Sequence, residues 1–226
     1  MKALLSWSSG KDSAWALHAL RRLPGVEVIG LATTVNRARG RVSIHAVRVE
    51  LLRRQAEVAG LPLRLIDLPD PCDNTQYEAA MKAAVGEARR EGAECVAFGD
   101  LFLRDVREYR EAQLAGTGLT ALFPLWGLPT DELAREMVGG GLRAVVSCVD
   151  PRQLPAGFAG REYDTAFLSE LPAGVDPCGE RGEFHTFAFG GPMFRRPIDV
   201  KVGEIVERGG FAYADILPAS GPDVTR

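Results

Sequence analysis

The sequence predicts an α/β protein: a parallel five-stranded sheet with helices on both faces, followed by a smaller α+β unit. Two observations carry this. Through the first half, short apolar runs rich in β-branched residues alternate with segments of helical period, and the runs are too apolar for one face to meet water. Beyond residue 125 the alternation stops, and short strand-like pieces separated by Gly and Pro take over.

Taken in order, residues 3–7 form the first apolar run, and 12–22 a helix with Ala14, Leu17, Ala19 and Leu20 as its apolar positions. Residues 26–35 make a second strand. Val47, Leu51, Leu52 and Val58 mark a helix over 46–59, with Gly60 as its stop. Residues 63–68 form a third strand. Asn74 or Thr75 caps a helix running to about Glu91, followed by Gly92. Residues 95–98 are a fourth strand and 105–115 a helix; Gly116-Thr117-Gly118 then breaks the chain before a fifth strand at 119–123. In the second unit Thr130 caps a helix over 130–138, with Asp131 and Glu132 in its first turn. A strand at 143–149 and a helix at 162–171 follow. From Phe184 onward the sequence reads as hairpins, interrupted at Gly190-Gly191-Pro192 and Gly209-Gly210. We set the domains at 1–125 and 126–226.

Bulk properties exclude several functions. The net charge is −3 and the sequence pI about 5.7, so no basic field is built for nucleic acid. Cys72, Cys95, Cys148 and Cys178 are far apart and form no C-x-x-C pair, which argues for reduced thiols and against a zinc ribbon. No apolar run approaches the roughly 20 residues of a membrane helix, and residues 1–6 do not resemble a signal peptide. A cytoplasmic protein is expected, and nothing in the sequence speaks against a homo-oligomer.

Ligands of parallel sheets sit beyond the carboxyl ends of the strands, so the loop after the first strand is the first place to look. Ser8-Ser9-Gly10-Lys11-Asp12-Ser13 stands between strand and helix. Small residues let the backbone approach a phosphate, and the helix start offers free N–H groups. The hydroxyls of Ser8, Ser9 and Ser13 can donate, and Lys11 adds charge. Asp12 suits either a magnesium ion or a helix cap. The spacing is not that of a G-x-x-x-x-G-K-[ST] loop. The six residues alone fit a plain turn as well as a phosphate site.

With Trp7 before it, this stretch resembles the S-G-G-x-D-S pyrophosphate loop of the N-type ATP pyrophosphatases, with Ser9 in place of the first glycine. The chain further resembles the diphthine–ammonia ligase family, most of all its bacterial branch. Ser43-Ile44-His45, Gln55-Ala56, Gly99-Asp100-Leu101-Phe102-Leu103, Tyr109-Arg110-Glu111 and Phe123-Pro124-Leu125-Trp126 carry the resemblance in the first half. Cys148-Val149-Asp150-Pro151, Asp176-Pro177-Cys178-Gly179-Glu180 and Glu183-Phe184-His185-Thr186 carry it in the second. The resemblance implies an adenine nucleotide alpha hydrolase-like fold, ATP and magnesium in the first domain, and an acceptor between the two. It implies amidation of a carboxylate with ammonium, releasing AMP and pyrophosphate. Bacteria lack diphthine, so a bacterial member needs another acceptor.

Further candidates follow from position. With strand order 3-2-1-4-5, Gly99-Asp100 ends the strand beside the first, and Asp100 could hold magnesium with Asp12, or simply cap a helix. Thr33-Thr34-Val35 ends the second strand, where PP-loop enzymes hold adenine. His45 and Arg48 could reach a phosphate. Arg107, Tyr109 and Arg110 could take the acceptor carboxylate, although such charge mixtures are usually solvated helix faces. Asp176, Cys178, Glu180, Glu183, His185 and Thr186 crowd into eleven positions. Glu180, Glu183 and His185 are candidates for deprotonating ammonium, and Glu183 and Thr186 for orienting the acceptor. A transition metal on Cys178, Glu180 and His185, or a nucleophilic Cys178, are weaker alternatives. Rival functions are a nucleotide-binding sensor without turnover and an RNA-thiolating enzyme.

Overall fold

The structure, a computed structural model, describes residues 1–36 and 47–219 together with the backbone of 41–42. The first unit runs β1 (Lys2–Ser6), α1 (Lys11–Arg22), β2 (Glu27–Asn36), β3 (Arg41–Val42), α2 (Val49–Ala59), β4 (Leu63–Leu68), α3 (Asn74–Arg90), β5 (Cys95–Ala97), α4 (Arg104–Leu114) and β6 (Thr120–Leu122). Five strands are parallel in the order β4-β2-β1-β5-β6, the expected 3-2-1-4-5. The short β3 runs antiparallel at the end of β2.

Both faces are covered because β1 is apolar on both. Leu5 and Trp7 join a core with Leu17 and Leu20 of α1 and Leu51 and Leu52 of α2. Leu4 joins a second core with Ala84, Val85 and Ala88 of α3, Val96 of β5 and Leu114 of α4. Local chemistry shifts some boundaries. Asp73, rather than Asn74 or Thr75, caps α3: its side chain accepts from Gln76 N while the Gln76 side chain accepts from Asp73 N. Arg48 sits in extended conformation before α2, so that helix starts three residues later than its apolar period suggested.

The second unit runs α5 (Thr130–Gly139), β7 (Arg143–Val149), α6 (Thr165–Glu170), β8 (Phe184–Gly190), β9 (Val200–Arg208) and β10 (Phe211–Pro218). Its antiparallel sheet has the order β8-β7-β10-β9, so β9 and β10 form a hairpin while β8 pairs with β7 instead. Helix α5 is preceded by Pro129 with no side-chain cap, so Thr130 does not play that part. The helix expected over 162–171 shortens at its start because Glu162 bridges to Val145 and Asp164 accepts from Phe167 N.

This sheet packs on the α1 side. Phe187 and Ala188 of β8, Val146 of β7 and Ala212 of β10 lie in the same core as Leu5 and Leu17. Backbone bonds cross between the units, from Ala188 N to Ser9 O and from Arg195 N to Val58 O, both 2.9 Å. Arg48 grips Asp215 of β10 through two bonds of 3.1 and 2.6 Å. No helix among the described residues is long and apolar enough to cross a membrane.

Candidate active site

A cavity of 510 Å³ opens at the carboxyl ends of the parallel strands. Its polar end is formed by Ser8, Lys11, Asp12, Ser13, Gly99, Asp100, Arg110, Glu180, His185 and Thr186. Its apolar end runs past Thr33 and Thr34 to Ile66, Tyr77, Met81 and Phe98, between the sheet and α3. The volume is that of a small-molecule site.

The loop between β1 and α1 is held from all sides. The Thr33 hydroxyl donates to Trp7 O at 2.7 Å, tying the end of β2 to the end of β1. Ser9 adopts φ 71°, a left-handed conformation that favours glycine. Ser9 is fully buried and its Oγ has no hydrogen-bond partner; neither it nor Gly10 lines the cavity. Gly10 is the helix N-cap, with its N–H on Ser8 Oγ at 3.3 Å. The Ser8 hydroxyl donates to Ser13 Oγ at 3.1 Å, and the Ser13 hydroxyl to Gly10 O at 3.0 Å. Lys11 N donates to Thr186 Oγ1 at 3.0 Å. Gly99 closes the other side: a Cβ there would sit 3.0 Å from the backbone of Asp12 and Ser13.

Lys11 is 1% exposed. Its Nζ donates to both oxygens of Asp12, at 3.0 and 2.9 Å, and to the Cys178 carbonyl. The ring centroids of Tyr163 and Phe184 lie 5.5 and 5.2 Å away. Burial works against its charge, yet Asp12 beside it holds the Lys11 pKa above the usual lysine value. Burial raises the Asp12 pKa, and Lys11 offsets only part of that. Asp100 is likewise raised by burial, with Arg110 opposing and Asp12 adding to the shift. Arg110 Nε stands 3.7 Å from Asp100 Oδ2, beyond hydrogen-bond length, and both atoms lack a hydrogen-bond partner. The Arg110 guanidinium lies 5.0 Å over the Phe98 ring.

The 176–186 segment is sorted by its own backbone. Asp176 accepts from Cys178 N and Glu180 N, and Glu183 accepts from Asp176 N and Arg181 N. Glu183 is therefore occupied in holding the loop and does not reach the cavity. Glu180 does: its Oε1 accepts from Leu101 N at 2.8 Å, and burial pushes its pKa up to about 7. His185 lines the cavity with its pKa pushed down to about 4, first by burial and then by Lys11. Burial pushes the Cys178 thiol up to about 12, so it is not a nucleophile at neutral pH.

Not every candidate converges. Arg107 points away from the cavity, bonded to Glu111 at 2.8 Å and lying over Phe123 and Trp126. Tyr109 is exposed on α4 and also outside the cavity. One helical turn separates Arg107 from Arg110, yet only Arg110 lines the cavity. Arg48 is committed to Asp215, and His45 lies outside the described residues. Cys178, Glu180 and His185 do not form a metal cluster, since no group of three such ligands converges among the described residues. Two residues escaped the sequence reading of roles. Tyr163 donates its hydroxyl to Pro177 O at 2.9 Å and walls in Lys11, and nothing in its local sequence signals this. Gln55 had a signal: it is a polar residue on the buried face of α2.

Two family profiles cover most of the chain. The diphthamide synthase N-terminal domain matches residues 1–119 and the diphthamide synthase C-terminal domain residues 129–219. The human protein named diphthine–ammonia ligase (Homo sapiens) is 26% identical over 181 residues, covering 77% of this chain and 67% of the human one. Its namesake from Bos taurus is 28% identical over 151 residues, covering 64% of this chain and 56% of the bovine one. The matched stretch thus spans between about half and two thirds of these relatives.

Proposed function

The chain belongs to the diphthamide synthase family, and from that premise we propose that it is an ATP-dependent ligase. In this reading it activates a carboxylate as an acyl-adenylate, releases pyrophosphate, and lets ammonia displace AMP to give an amide. The observation that carries it is the convergence of Ser8, Lys11, Asp12 and Ser13 with Asp100, Arg110 and Glu180 on one cavity. We divide the chain into a nucleotide-binding domain, 1–125, and an acceptor domain, 126–226.

The start of α1 and the Ser8 and Ser13 hydroxyls receive the phosphates, where aligned N–H groups and the helix dipole favour negative charge. Adenine lies toward Thr33 and Thr34, at the apolar end of the cavity. Asp12 and Asp100 suit magnesium: both are carboxylates, their charges disfavour one another, and Asp100 Oδ2 has no hydrogen-bond partner. Bound there, the ion would neutralise charge on the departing pyrophosphate. Arg110, held only loosely by Asp100, offers a planar fork to the acceptor carboxylate. Glu180, with its pKa near neutrality, takes the proton that ammonium must lose before it attacks. His185 stays neutral and adds no competing positive charge. Lys11 holds Asp12 and the Cys178 carbonyl in place.

The test is to incubate the pure protein with magnesium, ammonium, labelled ATP and a small-molecule extract of the source cell, and to identify the nucleotide product. AMP with pyrophosphate, lost in Asp12→Ala, is the expected result. ADP with phosphate would overturn the mechanism. Bound but untouched ATP across many acceptors would favour a sensor.

A further inference from the structure

Helix α2 turns Leu51, Leu52, Ala56, Val58 and Ala59 into the core, and with them one polar side chain, Gln55, which is fully buried. Burying a primary amide is costly unless its donors and acceptor are met. Gln55 meets them. Its Oε1 accepts from the Trp7 indole at 2.9 Å, and its Nε2 donates to Ser9 O at 2.9 Å and to Ala188 O at 2.6 Å. The site needs one acceptor and two donors on a flat head at this reach. Glutamate would set acceptors against two carbonyls, asparagine is one methylene shorter, and an apolar side chain bonds to none.

The consequence falls on Gly10. The Ser9–Gly10 peptide is trans and planar, so the Gly10 N–H points opposite to the Ser9 carbonyl. That carbonyl is held by two donors, Gln55 Nε2 and Ala188 N, each at 2.9 Å, on the side of α2 and β8. The Gly10 N–H is thereby aimed the other way, toward Ser8 Oγ at 3.3 Å, and Ser8 lines the cavity. That bond orients the Ser8 hydroxyl, whose proton, on Ser13 Oγ at 3.1 Å, can turn to a charged acceptor in the cavity. We propose that Gln55 is a positioning residue: by fixing the Ser9 peptide it aims the Gly10 N–H at Ser8 Oγ, and so sets the hydroxyl that meets the pyrophosphate end of ATP. This rests on the reading that the 8–13 loop takes phosphates.

Calorimetric titration of wild type and Gln55→Met with magnesium–ATP, pyrophosphate and adenosine tests it. Gln55→Met should weaken ATP and pyrophosphate about tenfold and change adenosine by less than about twofold. A merely structural role would weaken all three together or none, and either result overturns the proposal. If wild type itself gains no affinity from the phosphates, the loop reading fails and takes this inference with it. If wild type shows that gain and Gln55→Met keeps it, only the role of Gln55 fails. Should Gln55→Met not fold, the Gly10 amide resonance of the wild-type protein decides. Pyrophosphate should move it, and an unmoved resonance with pyrophosphate bound overturns the proposal.

Discussion

At the scale of single residues, Ser9 shows how a backbone angle redirects a side chain. Its hydroxyl was expected to donate to phosphate, but φ 71° turns it inward, where it finds no partner. A left-handed backbone costs a non-glycine residue about 1–2 kcal/mol, and a buried unbonded hydroxyl about 1 kcal/mol or more. Glycine's extra freedom when unfolded returns about 0.5–1 kcal/mol. Ser9→Gly should therefore melt roughly 2–4 °C higher, a net gain near 1 kcal/mol for a chain of this size. Ser9→Ala, which removes the hydroxyl but keeps the angle, should gain less. Glu180 and His185 make a second prediction, because their shifts oppose one another. Folded Glu180 keeps its proton from pH 4.5 to about 7 while the unfolded residue has lost it, so rising pH destabilises the fold across that window. Folded His185 is unprotonated from about 4 to 6.5 while the unfolded residue holds a proton, so rising pH stabilises there. In wild type the two contributions nearly cancel between about pH 4.5 and 6.5. Thermal melts of Glu180→Gln should rise toward pH 6.5, and those of His185→Asn should fall up to about pH 7. The sequence showed the crowding of carboxylates at 176–186 but not their sorting. Which of Glu180 and Glu183 faces the cavity depends on turns at Gly179 and Gly182, with φ 67° and 84°.

At the scale of elements, strands and helices were legible and their facing only partly so. Leu4 and Leu5 are consecutive and both apolar, which is enough to call for helices on both faces. Which arginine of α4 would meet the cavity was not legible, because Arg107 and Arg110 lie one turn apart on the same helix. The aromatic pair Phe123 and Trp126, distant in sequence, claims Arg107. The junction of β5 with α1 yields a third prediction. The β-carbon in Gly99→Ala would meet helix backbone at 3.0 Å, and backbone cannot swing aside as a flexible side chain can. The substitution should cost about 1–3 kcal/mol. It should also weaken ATP binding, because the first turn of α1 must move. A thermal melt and an ATP titration on the same sample check both.

At the scale of the whole molecule, the sequence suggested two units but could not show that they share one core. Trp7, Leu17 and Leu52 of the first belong to the same buried cluster as Phe187, Met193 and Ala212 of the second. Such contacts join residues far apart in the chain, and no local period encodes them. A fourth prediction follows: a fragment ending at residue 128 should show no cooperative melt, because it would bare the apolar side of α1 and α2. The full chain should unfold in one calorimetric transition, with calorimetric and van't Hoff enthalpies agreeing. The bond from Lys11 N to Thr186, across 175 positions, also sets a timetable. A ribosome adding about 5–20 residues per second needs on the order of 10 s or more to travel from one to the other. Over that interval the emerging chain carries its 8–13 loop without the strand that secures it. On the proposed reading, ATP cannot steady the nascent polypeptide until Thr186, in its last third, has been made.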